Sequence, residues 1–250
     1  MQAKTIDEVI EKLDAIIEDA KKNNSRIGYF PALYRKVTKK VQAAIKDGEF
    51  DKSERMNDLD VIFANRYLTA YDQFVKNEKT TESWDIAFEK TKRYWPIVLQ
   101  HLLWGMNAHI NLDLGIAAAR VAPGEAIHGL KNDFDKINDL LASLVEGVEK
   151  DLSEVWPTLK IILKFSGKID DFLVNFSMKV ARNEAWKFAI KLAKESPEEQ
   201  TRMIAKKDQE IAQFAKLINP PGLIPKLVFG MIRLGEKGSV AEIIGILEKD

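Results

Sequence analysis

With 250 residues, 46% of them apolar and 30% charged, the chain is long enough to bury a substantial core without disulfide or metal staples. Lysine plus arginine and aspartate plus glutamate each number 38, so no net charge recommends a phosphate backbone or an anionic membrane surface, and nucleic acid is disfavoured as a partner. Cysteine is absent, which excludes a disulfide framework, thiolate zinc sites and a cysteine nucleophile, and agrees with a cytoplasmic location.

Apolar residues recur at helical spacing almost throughout, and no segment alternates with period two between turn signals. The expected class is therefore all-α, a single-domain bundle over residues 1–250 with about eight to ten helices around a buried central one. The first turns of "MQAKTIDEVIEKLDAIIEDAKK" are acidic and hold no continuous apolar run, so no secretory signal is expected. Thr5 with Glu8 forms a capping-box pattern ahead of Val9, Ile10, Leu13, Ile16 and Ile17. Tyr29 to Ile45 reads as the next helix, ended by Asp47-Gly48. Asp51 with Glu54 opens a third, carrying Leu59, Ile62, Phe63, Tyr67, Tyr71 and Phe74.

A fourth helix is expected from about Thr81 to Trp95, where Pro96 either kinks the pattern or restarts it as a first helical residue. The restarted helix runs to Pro123-Gly124. Gln100, His101, Asn107, His109, Asn111 and Asp113 interrupt it too often for a membrane span. Later helices are expected from about Glu125 to Leu152, briefly after Pro157, and from about Ile169 to Lys194. Ser196-Pro197-Glu198-Glu199 combines an N-cap, a first-turn proline and an N3 glutamate, "NPPG" at 219–222 closes that helix, and two shorter helices follow.

The central helix carries the chemistry. At about 100° per residue, His101, Gly105, His109 and Asp113 form one stripe, with Gln100, Asn107 and Asn111 on roughly the opposite side. Each buried polar atom without a partner costs about 1–3 kcal/mol, so neighbouring helices, water, a metal or a ligand must meet these groups. His109 and Asp113 stand one turn apart. Either they co-ligate one divalent cation, or Asp113 holds the His109 tautomer for general-base work. His101 lies about 12 Å along the axis from His109, so it is expected to line a separate part of a pocket as a further catalytic candidate.

Gly105 leaves a gap that suits a bound group. Asn107 and Asn111 either contact substrate or tie helices together. Asp133 is the first choice for a further metal ligand, with Asp135, Asp60 and His128 behind it. Arg66 with Tyr67, and Arg182 with Trp186, supply second-rank binding candidates, because an arginine beside an apolar stripe needs a carboxylate, a carbonyl or an anionic ligand.

The sequence holds no P-loop, dinucleotide glycine fingerprint, H-E-x-x-H, G-x-S-x-G or paired Glu-x-x-His. His109 to Asp113 is similar to part of the zinc site of the all-helical phospholipase C group, whose additional histidines this chain lacks. "FANRYLTAYDQF", "HLLWGMNAHINLDLG", "NDFDKIN" and "ARNEAW", with a W-G-x-N-A-H-x-N-x-D-L signature, together resemble an uncharacterised family of bacterial all-helical proteins over roughly residues 25 to 220. The resemblance implies that His101, Gly105, Asn107, His109, Asn111 and Asp113 act as one unit, with Arg66, Asp133 and Arg182 as partners. It implies no reaction. The expected function is a metal-assisted or His-based hydrolase-type enzyme acting on a small or lipid-like substrate; the alternative is a non-catalytic ligand-binding or scaffold protein whose polar cluster locks helix packing.

Overall fold

The structure, a computed structural model, describes residues 2–156, 178–219 and 222–249. The short helix expected after Pro157 and the first part of the one expected from Ile169 lie outside these residues. Among the described residues every regular element is helical: α1 (Ile6–Lys22), α2 (Tyr29–Lys46), α3 (Ser53–Val75), α4 (Glu82–Thr91), α5 (Val98–Ala108), a π-helical turn (His109–Asp113), α6 (Leu114–Val121), a 3-10 segment (Gly124–Leu130), α7 (Lys131–Val155), α8 (Met178–Leu192), α9 (Pro197–Ala215), α10 (Leu223–Gly235) and α11 (Val240–Leu247). No helix among them is long and apolar enough to cross a membrane.

Where a helix end is coded locally, it falls where the sequence places it. Thr5 Oγ1 accepts from Glu8 N–H at 3.2 Å, and Ser196 Oγ accepts from Glu199 N–H at 3.3 Å. Asn24, Gly48 and Asn77 take φ of 47°, 71° and 57° just past α1, α2 and α3. There the N–H of Ser25, Glu49 and Glu78 returns to the carbonyl of Ala20, Ala44 and Gln73, so left-handed residues close all three helices.

Elsewhere the expected boundaries shift. Pro96 is not a first helical residue: Ile97 is extended and α5 begins at Val98, while α4 stops at Thr91 and leaves Tyr94 and Trp95 exposed. The segment after Gly124 starts as a 3-10 helix and becomes α-helical at Lys131. Asp51 does not cap α3. Instead, distant acids cap three helices whose own N-cap side chains make no capping bond. Asp133 accepts from Asp51 N–H (2.6 Å) and Lys52 N–H (3.2 Å) before α3. Asp208 accepts from Glu82 N–H (2.7 Å), Ser83 N–H (3.0 Å) and Ser83 Oγ (2.6 Å) at α4. Glu236 accepts from Val98 N–H (2.7 Å) at α5. Each meets the exposed amide groups and the positive dipole end that a helix start presents.

The run from α5 through α6 is the buried axis. Gln100, Trp104 and Asn107, at i, i+4 and i+7, donate to the carbonyls of Ile218 (2.8 Å), Ala215 (2.9 Å) and Ile211 (3.1 Å), fastening the axis to the C-terminal end of α9 and the 3-10 turn Lys216–Ile218 after it. On the α6 side small residues let α8 approach: a Cβ at Gly115 would lie 2.8 Å from Phe188 Cδ1 and 2.9 Å from the Ala185 carbonyl. Because Asp208 anchors the start of α4, it also fixes Trp84 one residue further on. Asp208→Ala is expected to lower the unfolding free energy by about 2–3 kcal/mol in a urea melt. A loss below about 0.5 kcal/mol would show that α4 starts without this cap.

Candidate functional site

The axis does not pass through His109 to Asp113 as a regular α-helix. Leu114 N–H donates to the carbonyl of His109, five residues back, so this stretch forms a π turn. Such a turn holds an extra residue per coil and changes the rotation between the helix halves on either side. The single stripe expected from His101 to Asp113 is accordingly broken into two parts.

The first part is built on Asp113, which is fully buried. Its Oδ1 accepts from Arg66 Nε at 2.9 Å, and its Oδ2 from Trp84 Nε1 at 2.8 Å. His109 Nδ1 lies 3.3 Å from Oδ2. Burial pushes the carboxyl up, but Arg66 first, and then His109 and Trp84, outweigh it and hold Asp113 below the usual carboxylate range. An ionised carboxylate can only accept, so His109 Nδ1 carries the proton and Nε2 keeps its lone pair.

Aromatic rings set the orientation of that imidazole. It stacks on Phe63 with ring centroids 3.6 Å apart and planes 8° apart, and meets the edge of Tyr34 at 4.6 Å. Burial lowers the His109 pKa against the pull of Asp113, so the ring is neutral at neutral pH. Its Nε2 has no hydrogen-bond partner. Nor do Tyr67 Oη and Asp60 Oδ2 nearby, while Tyr34 Oη has only Thr38 within weak reach. Burial pushes Asp60 up to about 7.

The second part surrounds His101. A cavity of about 10 Å3, room for about one water, is lined by Arg26, Phe30, Tyr67, Trp84, His101 and Gly105, among others. Neither nitrogen of His101 has a well-formed partner, the Pro96 carbonyl being only a weak one. Burial first, then Arg26 and Arg233, lower its pKa to about 3. Most of the space left by Gly105 is occupied, because a Cβ there would meet the Phe30 ring. Phe30 thus stands against both histidine neighbourhoods, with its ring 5.7 Å from that of His109. Tyr67 and Trp84 line the cavity and also flank His109.

The other expected site residues are engaged elsewhere. Asn107 binds the Ile211 carbonyl and accepts from Asn111 Nδ2 at 2.9 Å, so both asparagines tie the axis to α9 rather than facing the cavity. Arg182 donates to Asn138 Oδ1 and to the Phe134 carbonyl, each at 2.6 Å, and lies over the Phe134 ring, joining α8 to α7. His128 is exposed beside Glu125. Asp135 pairs with Lys131.

Asp133 does not join His109 and Asp113 in a metal set. It is spent on the start of α3 and on Arg55, roughly 20 Å along that helix from Arg66 at about 1.5 Å per residue. Among the described residues no three His, Asp or Glu side chains converge as a cation site, and the Arg66 charge on Asp113 repels a cation there. Trp84 and Tyr34 were missed because each reads as an ordinary core aromatic. The one available signal was that a buried indole N–H needs an acceptor.

His101 and Asp60 give the pH dependence of unfolding a definite sign. His101 is neutral in the fold down to about 3 but gains a proton near its ordinary value of 6.5 when unfolded, so its contribution is complete above 6.5 and is lost as pH falls toward 3. Asp60 acts oppositely, favouring the fold below its unfolded value and losing that contribution as pH rises through about 7. His101→Phe should therefore reduce the slope of unfolding free energy against pH, between pH 6 and 4, by about 1.4 kcal/mol per pH unit in urea melts. An unchanged slope would show that His101 is protonated in the folded protein.

No curated protein and no solved structure matches the chain. A family model does match, over residues 6–221, a span that takes in the Asp113 cluster, the His101 cavity and the helices that frame both. The chain belongs to that family, DUF5995, a family of unknown function.

Proposed function

We propose that the protein is a His-based enzyme of hydrolase type, in which His109 takes a proton from water or substrate at the aromatic cluster between α2, α3, α4 and the central axis. The observation that carries this reading is the unpaired Nε2 of a neutral, fully buried imidazole whose Nδ1 is turned to an ionised Asp113. A carboxylate that orients the base while leaving its second nitrogen open is the arrangement general-base catalysis needs. Asp113 is the positioning group, and Arg66 and Trp84 keep it ionised and aimed. The metal-assisted version is less well supported, since Arg66 already occupies Asp113. Phe63 and Tyr34 pack closely on the imidazole, so a small or lipid-like substrate reaches it only when these rings move aside. A cytoplasmic location belongs to the same proposal and rests on the absence of cysteine.

The close packing also favours a second reading, a scaffold whose polar cluster locks the helices, since Phe63 lies flat on His109 without an intervening gap. The variants His109→Gln and His109→Phe separate the two. Under the enzyme reading, wild-type protein hydrolyses p-nitrophenyl butyrate and His109→Gln loses about 100-fold or more of that rate. His109→Phe, which removes an unpaired buried nitrogen, then stays within about 1 kcal/mol of wild-type stability or exceeds it. Under the scaffold reading wild type is inactive and His109→Phe loses about 2–3 kcal/mol.

A further inference from the structure

At the outer end of the Asp113 cluster, positive charge exceeds negative. Arg66 reaches Asp113 through Nε alone, and its terminal amino groups have no hydrogen-bond partner among the described residues. Its side chain is 22% exposed, so the guanidinium runs from the buried carboxylate toward the surface. Arg120, exposed at the end of α6, likewise has no hydrogen bond or ion pair among the described residues. It follows Asp113 by seven positions, two turns along one face, and a long side chain on a helix leans back toward the N-terminus, hence toward Asp113 and Arg66. Burial first, then the nearby Arg66 charge, lower the Arg120 pKa and Asp113 opposes them, so the two guanidinium groups are within Coulombic reach of each other. Asp113 cannot serve both, because Arg66, Trp84 and His109 already take its oxygens.

We infer that this cluster takes a monoanionic carboxylic acid with an apolar body, its carboxylate held between Arg66 and Arg120 and its body reaching the His109 ring where Phe63 moves aside. The inference rests on the reading of His109 as a ligand-facing group. Two guanidinium forks present parallel donors suited to a planar carboxylate. Two positive charges against the one negative charge of Asp113 leave a single charge to neutralise, which a carboxylate matches and a phosphate dianion oversupplies. Arg120 supplies the part of the recognition not committed to the fold.

The test is a titration with sodium benzoate at constant ionic strength, with sodium chloride as control, read from the Trp84 indole N–H resonance, whose N–H donates to Asp113. Wild type is expected to show a saturable shift absent with chloride. Arg120→Met, a surface change that leaves the thermal midpoint in place, should weaken binding about tenfold or more, with Arg120→Lys recovering part of the loss. Inorganic phosphate should bind less tightly than benzoate. No saturable shift in wild type, equal affinity in Arg120→Met, or tighter binding of phosphate would each overturn the inference. Benzoate binding by a wild type that hydrolyses no ester removes the hydrolase reading alone; ester hydrolysis without benzoate binding removes only this one.

Discussion

A full negative charge at a position closed to solvent is costly by several kcal/mol unless donors surround it. Asp113 is such a charge, and the surrounding helices are arranged to meet it. Arg66 comes from α3, Trp84 from α4 and His109 from the axis itself. Because all three converge on one ion, the separation and rotation of these elements are constrained together. The start of α4 is in turn pinned by Asp208 of α9. The His109 ring is consequently held in orientation by a chain of contacts that begins two helices away.

Two kinds of buried polar group coexist in this core. Gln100, Trp104, Asn107, Asp133, Asp208 and Arg182 are engaged with backbone groups of another element. They join helices, and a partner lost from any of them strands a buried group. Around the histidines the pattern reverses. His109 Nε2, both nitrogens of His101, Tyr67 Oη and Asp60 Oδ2 lack well-formed partners. Buried polar groups in folded proteins are overwhelmingly paired, so the open Nε2 of His109, with Tyr67 Oη and Asp60 Oδ2 nearby, marks that region off from the structural network. The π turn lies at the same place, and such turns gather at functional sites.

Sequence pattern made the local features legible. Thr5, Ser196 and Gly48 act within a few residues of themselves, and their helices begin or end accordingly. The meeting of His109 with Asp113 was readable for the same reason, since residues four apart on a helix are neighbours. What depended on tertiary convergence was not. Asp133 looked available as a further metal ligand, and nothing in its neighbours indicates that it caps α3. Glu236 and Asp208 stand 138 and at least 125 positions from the amides they accept. Gly105 suggested a space, but the ring that fills it comes from α2. The π turn was equally hidden, because its residues have ordinary helical composition.

An ionised Asp113 fixes a neutral His109 with its proton on Nδ1 and its Nε2 lone pair free. The most direct test is nitrogen-15 NMR of the histidine side chains in uniformly labelled protein, with His109 assigned by comparison with His109→Gln. The imidazole is predicted to show a protonated Nδ1 and an unprotonated Nε2, with both signals unchanged as the pH is lowered below 6.5 in the folded state. A proton on Nε2 at neutral pH, or titration of the ring at or above 6.5, would contradict it.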